Sequence, residues 1–454
     1  MLQASSRTLF AIIALQAIAL AIMEGILTSR IWPFLVVRVP MSWRSVSGVF
    51  EELPPGYKSA HEKEARNWIR NVSTDPFYQS PIGWESLAPG SVLRIEKIGK
   101  GEYEIPPGHS IRRILYVSSD LDKKPVPASA FILLPTFAHS PNAALKVVVW
   151  AHGTAGLERQ CAPSNQRDLY YDYEGPYSMV LRGYAVLAPD YAGLGSDTPF
   201  HYLAGPSHAS DIAYAVMAAR QAFPTGILTN EWVVIGHSEG GLAAWAINER
   251  EVVSPIGGFK GSVAIGPALQ NLHILRYGLA HGSDVLPLHY ASYTLSTIAR
   301  LDPTIDVKDY FSDLGLKRTH LAMTGCFFSA MAIFDKSTFR DMFKDVSWIE
   351  SSWALAWENR TAIIGDKPLA APLLLIEGLG ETSVFPATTE AVVKKHCGIF
   401  PDSPLHVSRY PDMDHEDIPF CSQAEVFGWI EERFNDIQVP TGCTSETVPL
   451  IQYD

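Results

Sequence analysis

One pentapeptide restricts the possible folds of this 454-residue chain more than any other feature: Gly-His-Ser-Glu-Gly at residues 236–240. The apolar run Trp232 to Ile235 precedes it, and an alanine-rich segment with helical spacing follows it. A G-x-S-x-G sequence between a strand and a helix is typical of a sharp turn that holds the serine at the carboxyl edge of a parallel sheet. We therefore expect Ser238 to be a nucleophile; the alternative is an ordinary helix-capping serine.

The rest of the chain alternates strand-like apolar runs with helical stretches. Antiparallel opening strands are predicted from residue 91, and later strands at 146–151, 184–188, 232–235, 261–265, 372–376 and 405–410. Such alternation predicts a mainly parallel sheet with helices on both faces, so the expected class is α/β. About a hundred residues after Ile265 do not resemble one strand–helix unit, and their many aromatic residues predict a helical cap or, alternatively, a helical subdomain with its own core.

The chain length favours one large domain with an insertion, or two domains. We expect the polar segment from Ser42 to Pro89 to be an extended arm without periodicity. The predicted division is a signal peptide or anchor at 1–25, an N-terminal arm at 26–90, the first part of the core at 91–265, a cap at 266–370 and the second part of the core at 371–454.

The amino terminus has the pattern of a secretory signal. Arg7 precedes an apolar run from Thr8 to Met23, which is shorter than the roughly 20 residues needed to span a bilayer. The alternative is an uncleaved anchor, because apolar residues continue from Ile31 to Val39. In either case we expect the rest of the chain to enter the secretory pathway, and cleavage would make the protein secreted.

Charge and cysteine content exclude some classes of partner. The formal net charge of -12 gives no basic excess for binding nucleic acid. The five cysteines lack a C-x-x-C spacing, so we predict no metal site, and they allow two disulfides in an exported chain. The sequons at Asn71 and Asn359 predict surface glycosylation.

A serine nucleophile needs a histidine base, and that histidine needs an acid to fix its tautomer. Since the chain order in this type of fold is serine, acid, histidine, His415 is the expected base, because it lies between the last predicted strand and the terminal helix. Alternatively, it is a surface histidine in the acidic stretch 412–417. The acid is expected in the loop after residue 376, as Glu381, with Glu377 the second candidate.

Acyl transfer places negative charge on a carbonyl oxygen, which backbone N–H groups must stabilise. The expected donors are Glu239, directly after the nucleophile, and Thr154, in the turn at residues 152–156; the alternative for that turn is a simple glycine-rich loop. This machinery needs no metal or organic cofactor.

At these residues the sequence resembles the secretory lipase family typified by yeast and fungal lipase A. The resemblance covers most of the chain after about residue 70 and rests on motifs at 75–78, 89–94, 188–195, 236–240 and 429–434. It implies an α/β-hydrolase fold with a mainly parallel sheet, a cap inserted after the sixth core strand, an acyl-chain tunnel, and lipase or esterase activity without cofactor. Glu381 stands where the family has aspartate.

We predict disulfides between Cys161 and Cys326 and between Cys397 and Cys443, which leaves Cys421 free. The second pair is similar to the tail bridge of that family. The expected function is hydrolysis of carboxylic esters of lipids, with transient contact to a lipid interface. An acyltransferase or a peptidase would use the same triad, and a non-enzymatic ligand-binding protein of the same fold would not need the nucleophile.

Overall fold

The computed structural model describes residues 53–99, 101–137, 144–282, 288–362 and 364–451. The predicted signal peptide or anchor at residues 1–25 lies outside these ranges. Within them, each helix is too short or too polar to span a bilayer.

One sheet runs through the described part of the chain. Its strands are β1 (Val92–Lys97), β2 (His109–Ser119), β3 (Pro125–Pro135), β4 (Leu145–Ala151), β5 (Ala185–Pro189), β6 (Leu228–His237), β7 (Phe259–Ile265), β8 (Leu373–Gly378), β9 (Leu405–Tyr410) and β10 (Thr444–Thr447). Their spatial order is β1-β2-β3-β5-β4-β6-β7-β8-β9-β10. In this spatial order the pairs β1–β2, β2–β3 and β3–β5 are antiparallel. Every pair from β5–β4 to β9–β10 is parallel. The predicted α/β class with a mainly parallel sheet is confirmed.

Helices alternate with these strands, as the sequence pattern indicates. Within the described ranges they are α1 (Tyr57–Asn67), α2 (Pro176–Val180), α3 (Gly205–Ala222), α4 (Glu239–Val253), α5 (Asn271–Ala280), α6 (Leu288–Leu301), α7 (Asp313–Ala322), α8 (Phe327–Phe334), α9 (Phe339–Met342), α10 (Ser352–Thr361), α11 (Pro386–Ile399), α12 (Ile418–Cys421) and α13 (Gln423–Phe434).

The central strands are buried on both faces, which explains their continuous apolar sequences. In β4, Val147 and Val149 pack in one core together with residues of α3 and α4. Val148 and Trp150 point to the opposite core, where residues of α2 and α13 lie. The sheet is therefore a rigid middle layer, and its parallel strands place their carboxyl ends along one edge.

The N-terminal arm differs from the prediction. An extended segment was expected there, but α1 is a helix in which only Tyr57 and Glu64 are buried. Its polar sequence shows no apolar stripe, and spaced charge pairs such as Lys58 with Glu62 stabilise it instead. Glu64 accepts hydrogen bonds from the backbone N–H groups of Cys326 (2.8 Å) and Ser329 (3.0 Å), so α1 caps the N-terminus of α8.

Helices α5 to α10 lie between β7 and β8, where the sequence predicts a cap. Most of their large aromatic side chains are interior, since Tyr293, Phe334 and Trp348 are buried. Phe328 is 51% exposed and contributes to a surface instead. The buried aromatic residues belong to the same hydrophobic core as one face of the sheet, and a minority of the aromatic residues of the segment is available to line a site.

The structure contains disulfides between Cys161 and Cys326 and between Cys397 and Cys443, and Cys421 is free and exposed. The first joins the loop after β4 to the residue that precedes α8. The second joins α11 to the residue that precedes β10. Both bridges therefore connect the sheet region to elements that the sheet hydrogen bonds alone do not fix.

Candidate active site

Ser238 occupies a sharp turn between β6 and α4. Its backbone has φ 58° and ψ -116°, a conformation that L-residues rarely adopt, and the residue is only 5% exposed. A Cβ atom at Gly236 would lie 2.0 Å from the carbonyl oxygen of Gly240, and one at Gly240 would lie 1.9 Å from that of Ala151. The motif glycines are therefore required sterically, and the strained turn presents the serine beside the carboxyl end of β4.

His415 and Glu381 come from the loops that follow β9 and β8. The Nδ1 atom of His415 lies 2.5 Å from Oε2 of Glu381, and both side chains are almost fully buried. The other oxygen, Oε1, accepts hydrogen bonds from the N–H groups of Ser383 (2.6 Å) and Val384 (3.0 Å). Because a carboxylate only accepts, the proton of His415 lies on Nδ1, and Nε2 is left as an acceptor.

The second ring nitrogen of His415, Nε2, is not used by Glu381. Within the described residues Nε2 is buried without a hydrogen-bond partner, and His415 lines the same cavity as Ser238. Burial by itself would lower the pKa of this histidine, but the Glu381 carboxylate and its hydrogen bond raise the pKa above the ordinary value. The imidazolium form is thus stabilised in this position, as a general base requires.

The other acid candidate is directed elsewhere. Oε2 of Glu377 lies 3.3 Å from Nε of Arg409. Burial raises the pKa of Glu377 to about 7, although Arg409 opposes this effect. Asp414 accepts hydrogen bonds from the backbone of Glu416 and Asp417 and serves as a local cap. The structure brings Glu381, not Glu377, to the histidine.

His237 connects two loops of the site. The sequence indicated only that it is a neighbour of the serine. Its Nε2 atom lies 3.0 Å from the carbonyl oxygen of His415, and its Nδ1 atom lies 2.8 Å from the hydroxyl of Tyr171. Burial, followed by the nearby His415, holds its pKa well below the ordinary value. A neutral His237 therefore donates to the backbone of His415 and ties the turn at Ser238 to the loop of the base.

Glu239 directly follows Ser238 in the chain, and Thr154 lines the same cavities as Ser238. Glu239 is the first residue of α4, so its N–H is in the helical turn that has no intrahelical acceptor, and Thr154 lines both cavities that contain Ser238. The hydroxyl of Tyr202 lies 3.0 Å from Oγ1 of Thr154, while Leu203 N–H donates to the Glu239 carboxylate at 3.0 Å. Two consecutive residues of one loop thus hold both predicted oxyanion donors.

The chain is similar to known proteins over most of its length. It is 24% identical to lipase A of Arthroderma benhamiae over 413 residues, which cover 83% of this chain and 82% of the relative. It is 23% identical to a secreted triacylglycerol lipase of Malassezia globosa over 393 residues, or 81% of each chain. The sequence matches no protein-family model.

Solved structures agree on the architecture. Lipase A of Candida antarctica in its closed state superposes with a TM-score of 0.66 at 16% identity, covering 84% of this chain and 90% of that one. The rice cell wall degrading esterase of Xanthomonas oryzae gives 0.60 at 16% identity, covering 78% of this chain and 100% of that one. The chain has the α/β-hydrolase fold. The resemblance drawn from the sequence motifs is confirmed at this level.

Two cavities meet at Ser238, and both are also lined by Thr154 and Tyr290. The first is narrow, with a volume of about 10 Å³, and its other walls are mainly apolar: Leu203, Ala268, Ile274, Leu275 and Val384. The second is larger, about 140 Å³, and is lined by aromatic and acidic side chains. An ester carbonyl at Ser238 would therefore have chemically different surroundings on its two sides.

The remaining predicted residues lie away from these cavities. Asn71 and Asn359 are both exposed, as acceptors of a glycan must be. Of the residues that the structure describes, one group has the spacing of metal ligands: His406, Glu425 and Glu446, at the β9–β10 edge of the hydrolase sheet. The carboxylate of Glu425 already accepts hydrogen bonds from the hydroxyls of Ser408 and Tyr410.

Proposed function

We propose that the protein is a secreted serine hydrolase that cleaves carboxylic esters of lipids, with Ser238, His415 and Glu381 as its triad. The observation that carries this proposal is the 2.5 Å contact between Glu381 and Nδ1 of His415, with the opposite ring nitrogen free in the cavity of Ser238. The names of the relatives, a lipase, a secreted triacylglycerol lipase and an esterase, support the ester bond as the target.

The first half of the reaction forms an acyl-enzyme. Oγ of Ser238 attacks the ester carbonyl carbon while its proton moves to Nε2 of His415, and the carbonyl electron pair moves onto oxygen. When the tetrahedral intermediate collapses, the bond to the alcohol oxygen breaks, and Nε2 returns the proton to that oxygen. Glu381 stabilises the imidazolium and keeps its proton on Nδ1.

The second half consumes water. His415 takes a proton from a water molecule whose oxygen attacks the acyl carbon, and Ser238 leaves with that proton as the free acid forms. In both halves the N–H groups of Thr154 and Glu239 are the proposed donors to the oxyanion. Each such donor contributes about 3 to 4 kcal/mol to the barrier reduction in related sites.

The apolar cavity supports an acyl chain as the part of the substrate that it binds. Each methylene that leaves water contributes about 0.8 kcal/mol, so once the apolar walls separate to admit a chain, binding improves with the length of that chain. Val384 and Ile274 are positioned to contact such a chain because they line this cavity together with Ser238.

The two disulfides fit an extracellular location, since such bonds persist in oxidising compartments. We propose that the N-terminal apolar run directs export and that the sequons at Asn71 and Asn359 carry glycans. Treatment of the secreted protein with an N-glycosidase should reduce its apparent mass, and the N-terminal residue of the mature protein would identify the cleavage site.

The triad is tested with a fluorophosphonate probe, which reacts with an activated serine as fluoride leaves phosphorus. The wild-type protein should be labelled and Ser238→Ala should not, while Ser254→Ala, at the exposed end of α4, is the matched control and should be labelled normally. Equal labelling of Ser238→Ala and the wild-type protein would overturn the assignment. Hydrolysis of p-nitrophenyl esters from acetate to palmitate then tests the substrate, and activity confined to acetate would argue against lipids.

A further inference from the structure

The second cavity at Ser238 combines aromatic rings with carboxylates. Tyr170, Tyr171, Phe327 and Phe328 line it, and so do Glu174 and Glu416. Glu174 is half-buried and Glu416 is exposed, so an acyl chain or a neutral alcohol in this cavity would displace water from the two carboxylates without replacing it. Their presence therefore calls for a ligand of complementary charge.

No cationic side chain of the described residues neutralises these carboxylates by a close contact. The charged groups that act on Glu174 are Glu416 and Asp172, and burial together with these two raises the pKa of Glu174 to about 7. Those that act on Glu416 are His415 and three further carboxylates, from Asp414, Glu381 and Asp417. The electrostatic potential in this part of the cavity is therefore negative when the carboxylates are ionised.

The two tyrosines of this cavity are held by hydrogen bonds to residues that line it. The hydroxyl of Tyr170 donates to the carbonyl oxygen of Thr154, and that of Tyr171 is bonded to His237. The two tyrosine rings stand perpendicular, with centroids 5.0 Å apart, and the ring of Phe328 lies 6.5 Å from that of Tyr170. Aromatic rings that line a cavity attract a cation through their negatively charged faces.

A cation already rests against the outer part of this group. Nζ of Lys63, on α1, lies 5.9 Å from the ring centroid of Phe328, although Lys63 is not among the residues that line the cavity. The position of this lysine outside the cavity leaves its interior to a cation that arrives with a substrate.

We propose that the second cavity binds the alcohol portion of the ester and selects alcohols that carry a positive charge, above all a quaternary ammonium group. The apolar cavity on the other side of Ser238 then receives the acyl chain. The reverse orientation would place the hydrocarbon acyl chain beside Glu174 and Glu416, where it would displace water from the carboxylates and offer no charge in return. This inference rests on the proposed ester hydrolase function and names the substrate class within it.

Butyrylcholine and 3,3-dimethylbutyl butyrate provide the test, because they have the same shape and differ by one positive charge. We expect kcat/KM of the wild-type protein at pH 8 to be about tenfold higher for the cationic ester, within the range of cation–π and charge contacts. Glu174→Gln, Glu416→Gln and their double variant should reduce this ratio progressively towards one. Glu85→Gln, an exposed carboxylate remote from the cavity lining, is the matched control and should keep the wild-type ratio.

A second measurement needs no variant and so does not depend on folding. Tetramethylammonium should inhibit hydrolysis of the neutral ester competitively in the wild-type protein, and tetramethylammonium-sized neutral alcohols such as tert-butanol should inhibit it less. A ratio of one for the two esters, or a ratio that the glutamate substitutions leave unchanged, would overturn the cationic preference while neutral-ester hydrolysis still upheld the proposed function. Absence of hydrolysis for both esters and for p-nitrophenyl esters would reject the proposed function itself.

Discussion

At the carboxyl ends of β6, β8 and β9, the side chains around Ser238 are held by hydrogen bonds, whereas the helices between β7 and β8 contribute mainly apolar walls. Glu381 accepts three hydrogen bonds. His415 is hydrogen-bonded to Glu381 through Nδ1 and to His237 through its backbone carbonyl. Ile274 and Leu275 from α5 present only hydrocarbon to the same cavity.

This difference separates two tasks. A hydrogen-bonded group at a strand end has one working geometry, so a change there should reduce the rate for every ester. An apolar wall contributes through area and shape, so a change there should alter which ester is preferred. The following experiments test whether the two regions divide the function in this way.

The largest effect is expected at the triad acid. Glu381→Gln should lower kcat about 10^3-fold or more, because the amide cannot stabilise the imidazolium or fix its tautomer. The matched variant Glu377→Gln should lower kcat much less, since Glu377 contacts Arg409 instead of His415. Steady-state kinetics on a short p-nitrophenyl ester would measure both, and the opposite ranking would assign the acid to Glu377.

The next largest effect is expected on stability, from the disulfide that joins the loop after β4 to the helices between β7 and β8. Replacing both Cys161 and Cys326 by serine removes the link between the loop after β4 and α8, which should lower the free energy of unfolding by about 2 to 5 kcal/mol. Cys421→Ser should change it by less than about 0.5 kcal/mol, because that cysteine is free and exposed. Denaturant unfolding of both variants would measure the difference, and equal stabilities would contradict a structural role for the bridge.

A change in the apolar wall should alter selectivity. The larger side chain of Ile274→Trp occupies space in the first cavity, so kcat/KM for octanoate esters should fall about tenfold or more while acetate esters are affected less. Ile437→Trp, at a side chain that is 54% exposed, is the control. An equal loss for both chain lengths would mean that the wall supports the catalytic geometry and would weaken the comparison.

The smallest effect concerns pH. Only neutral His415 accepts the serine proton, and Glu381 raises the pKa of this histidine above its ordinary value of about 6.5. Activity should therefore rise with pH to a plateau, with a midpoint above 6.5, so that a few-fold loss is already present at pH 6.5. The midpoint should fall in Glu381→Gln. A rate that did not change between pH 5 and pH 8 would exclude His415 as the base.

The sequence predicted the sheet and the triad candidates because each leaves a local pattern. Buried strands such as β8 are continuous apolar runs, and the elbow of Ser238 requires glycines that are visible as a motif. The sequence did not decide whether Glu377 or Glu381 is the acid of the triad. Both follow the same strand, and only the loop conformation determines which one reaches the histidine.

Elements without an apolar pattern were missed for a physical reason. The helix α1 is polar and docks mainly through the carboxylate of Glu64, and β10 is a fully exposed Thr-Ser-Glu-Thr segment that pairs with β9 beside a disulfide. The contact between His237 and Tyr171 joins residues that are 66 positions apart, so no local sequence pattern predicts it. The motif's own histidine was the one available signal, because a buried histidine needs hydrogen-bond partners.

The backbone of Ser238 has a consequence for how such a protein evolves. Its φ of 58° is accessible to glycine without strain but disfavours any side chain, by about 1 to 3 kcal/mol for comparable outliers. A chain that acquired glycine at this position would lose its nucleophile and gain stability, so selection for folding alone would drive the sequence towards an inert relative. On the proposed function, selection for chemistry keeps the serine at this position against the preference of the fold.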